Sequence, residues 1–238
     1  MKLDSIGKRH FQNIQELSIP PQMREKYKTK IEYIDKAFAG FTPGTVGIFT
    51  GAPGAGKTTL MLAVADALGE QNINVAYNSA EEDIRQLKMV TERLQLESPF
   101  FCGNIENIED VIIDAKKNEA KMLIIDSLQT IGTRKHRPGS VSAMRDVAKQ
   151  MIDYCKDNFI VGLMIGHVTK DNKIGGPNTL KHLVDCHIHL DLCVSPRCTT
   201  CEVGTRILCS QKNRFGPAGI PSYLMLGLDG FYEIPQKY

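Results

Sequence analysis

The chain lacks any apolar run near the roughly 18 residues that a membrane span requires, so no transmembrane segment is expected. Its start, Met1-Lys2-Leu3-Asp4-Ser5-Ile6-Gly7-Lys8, has no apolar stretch of the secretory kind, and a cytoplasmic location is the expectation. Charge of one sign is scarce too: 29 Lys and Arg against 27 Asp and Glu leave a formal +2. A balance that small does not announce a nucleic-acid partner, so any basic surface must come from local clusters. The seven cysteines (Cys102, Cys155, Cys186, Cys193, Cys198, Cys201, Cys209) are odd in number, which argues for reduced thiols rather than a disulfide framework. Cys198 and Cys201 form a C-x-x-C with Cys193 nearby, but no second pair completes the four ligands of a structural zinc site. Tryptophan is absent, and neither an internal repeat nor a low-complexity segment interrupts the 238 residues.

What is present is ordinary for a soluble globule, 42% hydrophobic and 24% charged, and long enough for one large α/β domain. The organising stretch is Gly51-Ala52-Pro53-Gly54-Ala55-Gly56-Lys57-Thr58. An apolar run, Thr45 to Thr50, leads into it, and Thr59 to Leu68 follows at helical spacing. Strand, glycine-rich turn and helix are the context in which G-x-x-x-x-G-K-[ST] cradles phosphates. The glycines let backbone N–H groups close around phosphate oxygens, and the helix start adds its positive dipole end. Residues Gly51 through Thr59 are therefore expected to bind ATP, with Lys57 on the β- and γ-phosphates and the Thr58 hydroxyl on Mg²⁺.

Residues 1–27 are polar and mixed, and read as an N-terminal arm or linker ahead of a domain over 28–238. Phe11, Ile14 and Leu17 recur at three-residue spacing, which predicts a short amphipathic helix. Asn74 to Ser79, Lys121 to Asp126 and Phe159 to Gly166 read as buried strands. Helices are predicted around Ile84 to Leu94, Ile105 to Ala115 and Val141 to Tyr154, and a hairpin-rich end from His187 to Leu226. Apolar strands alternating with helices predict a mostly parallel sheet covered on both faces, closed by antiparallel additions.

Groups for phosphoryl transfer collect at the C-terminal ends of such strands. Asp126 ends its strand and fits the acid that orients Mg²⁺ beside Thr58. Either Glu81 or Glu82, just after the second strand, can polarise an attacking water or simply complement a helix start. His167 ends the next strand, either as a hydrogen-bonding sensor of the γ-phosphate or as a packed side chain.

Four further motifs carry a resemblance: Ile125-Asp126-Ser127-Leu128-Gln129-Thr130, Pro138-Gly139-Ser140-Val141-Ser142, Gly166-His167-Val168-Thr169-Lys170 and Lys212-Asn213-Arg214-Phe215-Gly216. In order and spacing, from about Lys30 to Phe231, the chain resembles the bacterial RadA (Sms) ATPase. Pro217-Ala218-Gly219 also resembles the end of a DnaB-type replicative helicase core. The resemblance implies a RecA-like ATPase working as a ring, with six copies expected, on DNA. It implies Glu81 as the catalytic glutamate and His167 at the γ-phosphate sensing position. Lys212 and Arg214 it makes the lysine and arginine finger that reach a neighbour's nucleotide. The 238 residues hold neither that family's four-cysteine zinc finger nor its Lon-like domain, so the resemblance is to the motor alone.

On the RecA-like plan two loops face the ring's centre, Thr133 to Arg137 and Lys170 to Lys181. Arg134, Lys135, Arg137, Lys170, Lys173 and Lys181 would line a basic channel that tracks the phosphates of single-stranded DNA. No aromatic residue lies in either loop, so base stacking is not the expected device. Competing expectations are a KaiC-like regulatory ATPase acting on a protein, and an accessory ATPase that holds DNA without moving on it.

Overall fold

A computed structural model describes residues 11, 13–167, 180–193 and 201–235. The chain enters through α1 (Glu32–Phe38), then β1 (Val46–Gly51), α2 (Lys57–Gly69), β2 (Val75–Ser79) and α3 (Ile84–Arg93). Next come β3 (Phe101–Gly103), α4 (Ile108–Lys117), β4 (Met122–Asp126), α5 (Val141–Asn158) and β5 (Val161–His167). A short α6 (Leu180–Leu183) precedes β6 (Cys186–Leu192), β7 (Arg206–Asn213), β8 (Pro221–Gly227) and β9 (Gly230–Glu233).

Among the described residues these nine strands form one sheet in the order β3-β2-β4-β5-β1-β6-β7-β8-β9. From β3 through β6 every pairing is parallel, and from β6 to β9 every pairing is antiparallel. This is the expected α/β sheet with hairpin additions at the C-terminal end. β1 and β4 are buried along their whole length, because helices cover both faces of the parallel half. On one face Leu60, Met61 and Val64 of α2 pack against Phe49, Leu163, Ile165 and Ile188. On the other, Val111 of α4 and Met144, Val147 and Met151 of α5 pack against Ile48, Leu123, Ile125 and Met164.

The N-terminal stripe departs from expectation. Residues 14–16 form a turn, closed by the Glu16 N–H donating to the Asn13 carbonyl at 3.0 Å, and not a helix. Phe11, Ile14 and Leu17 are exposed (110%, 72% and 53%), so the stripe buries nothing that would offset the cost of nucleating a short helix. The helix expected from Ile105 starts at Ile108, because Gly132 pairs with Asn107 and holds the preceding residues extended. No helix among the described residues is long and apolar enough to cross a membrane.

Candidate nucleotide site

β1 delivers the chain into the glycine-rich turn, and α2 begins at Lys57. Gly56 stands at φ +99°, a torsion L side chains resist, and a Cβ there would lie 2.6 Å from the Phe231 ring of β9. A Cβ on Gly51 would come within 2.2 Å of the Leu190 carbonyl oxygen on β6. Packing excludes a side chain at both glycines, and at Gly56 the backbone torsion excludes it again. Within it the Ala55 N–H donates to the Ala52 carbonyl, while Pro53 and Gly54 are exposed. Lys57 is only 6% exposed, and its ammonium donates to the carbonyls of Gly51 and Ala52 at 3.0 and 3.1 Å. Burial lowers its pKa, against the opposing charges of Asp126 and Glu81.

Parallel pairing of β2 with β4 sets Ser79 opposite Asp126 and brings three acids to one mouth. One carboxylate oxygen of Asp126, Oδ2, accepts from the Thr58 hydroxyl at 2.8 Å and from the Tyr77 hydroxyl at 2.6 Å. Burial raises the Asp126 pKa above its ordinary value, while those two donors hold it down and the charge on Glu81 adds to the rise. Tyr77 is 1% exposed and its own pKa is raised well above 10.0, by burial and then by Asp126, so the phenol stays a donor. Glu81 Oε1 accepts from the Ser127 hydroxyl and lies 3.1 Å from His167 Nε2. Burial pushes the Glu81 carboxyl up, but the hydrogen bonds from Ser127 and His167 outweigh it and leave the pKa lowered. Glu82 goes the other way, raised by burial and then by the charges of Asp126 and Glu81.

A hydroxyl and a carboxylate oxygen 2.8 Å apart, at the start of α2, are a hard-oxygen pair suited to Mg²⁺. Thr58 and Asp126 therefore fit the ion expected with ATP. Thr59 follows in the first turn of α2, half-buried.

Lys212 and Arg214 stand apart from this cluster. Gly47 pairs with Cys186, and Cys186 with Asn213, so Asn213 lies level with Gly47, four residues before Gly51. That is about 13 Å down the sheet from the P-loop. Lys212 donates to the carbonyls of Lys181, His182 and Val184 at the end of α6, at 3.0, 3.4 and 2.6 Å. Arg214 donates to Asp185 Oδ1 at 2.9 Å.

The basic turn after β4 is held in place: the Thr133 hydroxyl accepts from the N–H groups of Lys135 and His136, and Arg134 pairs with Asp110 at 2.7 Å. Arg134, Lys135 and Arg137 are exposed, and Lys181 is half-buried. Lys170, Lys173 and Cys198 lie outside the described residues, and the described ones hold no cluster of three His, Cys, Asp or Glu fit for a metal.

Tyr77, Ser127 and Phe231 contribute to the site without having been given a role in the sequence, although Ser127 lies in one of the motifs that carry the resemblance. Only the alternation along β2 hints at Tyr77, two positions before Ser79.

Residues 15–173 match the family model described as an AAA domain, AAA_25. The DNA repair protein RadA of Rickettsia bellii is 32% identical over 231 residues, 94% of this chain and 50% of that protein. RadA of Escherichia coli K12 is 32% identical over 234 residues, 97% of this chain and 49% of that protein. The chain thus spans about half the length of the curated relatives it matches. Among solved structures, the ATPase domain of G40P superposes with TM-score 0.74 at 11% identity, covering 90% of this chain and 93% of that one. The KaiC-like protein PH0186 of Pyrococcus horikoshii OT3 gives 0.72 at 19%, covering 89% and 99%. The RadB recombinase gives 0.64 at 21%, covering 87% and 99%.

Proposed function

The chain belongs to the AAA domain family AAA_25, P-loop ATPases, and from that premise we propose that it is the motor of a DNA-dependent ATPase. In this reading residues 28–238 form the ATPase domain, 1–27 an arm, and copies assemble into a ring, six-membered as in the resemblance. ATP is hydrolysed at the seam between neighbours, and hydrolysis drives movement on single-stranded DNA or its unwinding, in repair or recombination. The observation that carries it is the mouth of the P-loop, where Asp126 is held by Thr58 and Tyr77 while Glu81 joins Ser127 to His167.

Roles follow from that geometry. Lys57 holds the β- and γ-phosphates. Thr58 and Asp126 hold Mg²⁺, which when bound neutralises phosphate charge. Glu81, kept ionised by its donors, orients the attacking water; a carboxylate of lowered pKa suits orientation better than outright proton abstraction. His167, beside Glu81 at the end of β5, reports the γ-phosphate to the segment that follows it. Lys212 and Arg214 lie too far from their own P-loop to serve it, which supports action on the neighbour's nucleotide. Arg134, Lys135, Arg137, Lys170, Lys173 and Lys181 supply the phosphate-tracking charge.

One observation favours a second reading, a regulatory ATPase with a protein partner: Arg134 and His136 are already matched to Asp110 and Asp146. ATP turnover with and without single-stranded DNA, measured alongside oligomer mass, separates the two. A motor is stimulated by DNA, and its DNA affinity falls steeply with salt. A signalling ring is indifferent to DNA. Full turnover by a monomer, unaffected by dilution, overturns the seam.

A further inference from the structure

Behind the P-loop strand lies a polar chain that the packing of an apolar core does not require. Thr50 is 0% and His187 3% exposed, and Thr50 Oγ1 lies 2.8 Å from both His187 Nε2 and His189 Nδ1. The far nitrogen of His189, Nε2, is 3.6 Å from Asp191 Oδ2. Thr50 sits on β1; His187, His189 and Asp191 alternate along one face of β6.

A hydroxyl has one proton to give, so it cannot donate to both rings. The Asp191 carboxylate favours a proton on His189 Nε2, which leaves His189 Nδ1 as the acceptor from Thr50. His187 Nε2 must then donate to Thr50. The chain has a direction: His187 to Thr50, Thr50 to His189, His189 to Asp191. Burial keeps both rings neutral. His187 is lowered to about 4 by burial, with Lys181, His189 and Lys212 adding to it. His189 is lowered by burial, Lys181 and Lys57, against Asp191. The Ile188 carbonyl, 3.4 Å from the same hydroxyl, offers the Thr50 proton a second acceptor.

What Thr50 adjoins gives this chain its consequence. The next residue, Gly51, receives the Lys57 ammonium on its carbonyl and has no room for a Cβ against Leu190. β6 is therefore the seat on which the start of the phosphate loop rests. We propose that Thr50, clamped between His187 and His189, is a positioning residue of the phosphate site, fixing the Thr50–Gly51 segment against β6 and so the placement of Lys57. A proton added to His189 Nδ1 turns that acceptor into a donor, sends the Thr50 proton to the Ile188 carbonyl and sets a buried positive charge in the seat, where Lys57 and Lys181 oppose it. This rests on the reading of Gly51 to Thr59 as the phosphate site.

The test uses the full chain, ATP as probe and equilibrium binding as readout, with the histidine tautomers followed by ¹⁵N NMR. At pH 7.5 both rings are expected as neutral Nε2–H forms. Thr50→Val should weaken ATP about tenfold, the scale of losing two buried hydrogen bonds, while Thr50→Ser keeps the hydroxyl and the affinity. Wild-type affinity should fall below the ordinary histidine value of 6.5 by more than protonation of ATP itself produces. His189→Asn, which keeps an acceptor near the Nδ1 position but cannot titrate, should show only the decline that belongs to ATP. Valine and serine variants that bind alike, an acid decline in His189→Asn equal to that of the wild type, or a proton on His189 Nδ1 at pH 7.5 overturns the proposal alone. Wild-type protein that binds no ATP at any pH overturns the phosphate-site reading beneath it.

Discussion

Removing one oxygen atom, in Tyr77→Phe, tests whether the second strand tunes the acid on the fourth. The ring keeps its place in the core, so the change isolates the hydroxyl that donates to Asp126 Oδ2 at 2.6 Å. A hydrogen bond to a charged group contributes about 1.5–3 kcal/mol, against about 0.5–1.5 for a neutral pair. Thr58 remains as a donor to the same oxygen, so the anion is weakened but not abandoned. That free energy corresponds to a change of roughly ten- to a hundredfold in how well an ionised Asp126 is maintained. The assay is steady-state hydrolysis against Mg²⁺ concentration, repeated across pH. On the acid side of the profile, where protons compete for Asp126, half-saturating Mg²⁺ should rise by up to that factor, since the cation must now meet a carboxyl that ionises less readily. The acid limb of the rate profile should move to higher pH, because the lost donor was one of the two holding the Asp126 pKa down. Unchanged Mg²⁺ dependence together with an unmoved acid limb would refute the reasoning and reduce Tyr77 to core packing.

Asp126→Asn should abolish Mg²⁺-dependent hydrolysis yet stabilise the nucleotide-free protein. The native-state pKa of Asp126 is raised, so its favourable contribution is complete below the unfolded value, 3.8, and is lost as pH rises through the native one. At neutral pH the buried anion costs stability, and calorimetry should show a Tm gain of about 2–4 °C, for roughly 1 kcal/mol, that shrinks on acidification. Gly56→Ala should cost about 2–4 kcal/mol, from the left-handed torsion plus the Phe231 contact. Adding Phe231→Leu should recover part of that loss in a denaturant titration. Arg214→Ala should lower the hydrolysis rate by at least about a hundredfold while ATP affinity is kept, and equal loss of both would contradict action in trans. Because Asp185 would lose its guanidinium partner, a melting curve must accompany that measurement.

Local pattern made the strand, turn and helix around Gly51 to Thr59 legible, since the glycines, lysine and threonine are contiguous and flanked by the right periodicities. Asp126 and His167 were legible as strand-end residues, and β6 to β8 as strands of a hairpin-rich end. Tyr77 was not, because its partner lies 49 residues away and only the β2–β4 register makes them meet. The histidines of β6 read as strand positions; their partner Thr50 comes from a strand about 140 residues earlier. β3 and β9 escaped because three- and four-residue strands leave too short a pattern to read. Conversely, the spacing of Phe11, Ile14 and Leu17 promised a helix, but periodicity does not supply a surface to bury it against.

The position of β1 between β5 and β6 bears on how this protein can be dissected. A fragment ended near residue 173, where the family match stops, would strip away β6 and leave the phosphate-loop strand as a raw margin. Its unpaired amides would invite other chains, and Gly51 would lose the backbone it leans on. Excision of a minimal catalytic core should therefore retain the chain through Glu233, so that Phe231 still roofs Gly56; shorter excisions should be recovered as aggregate.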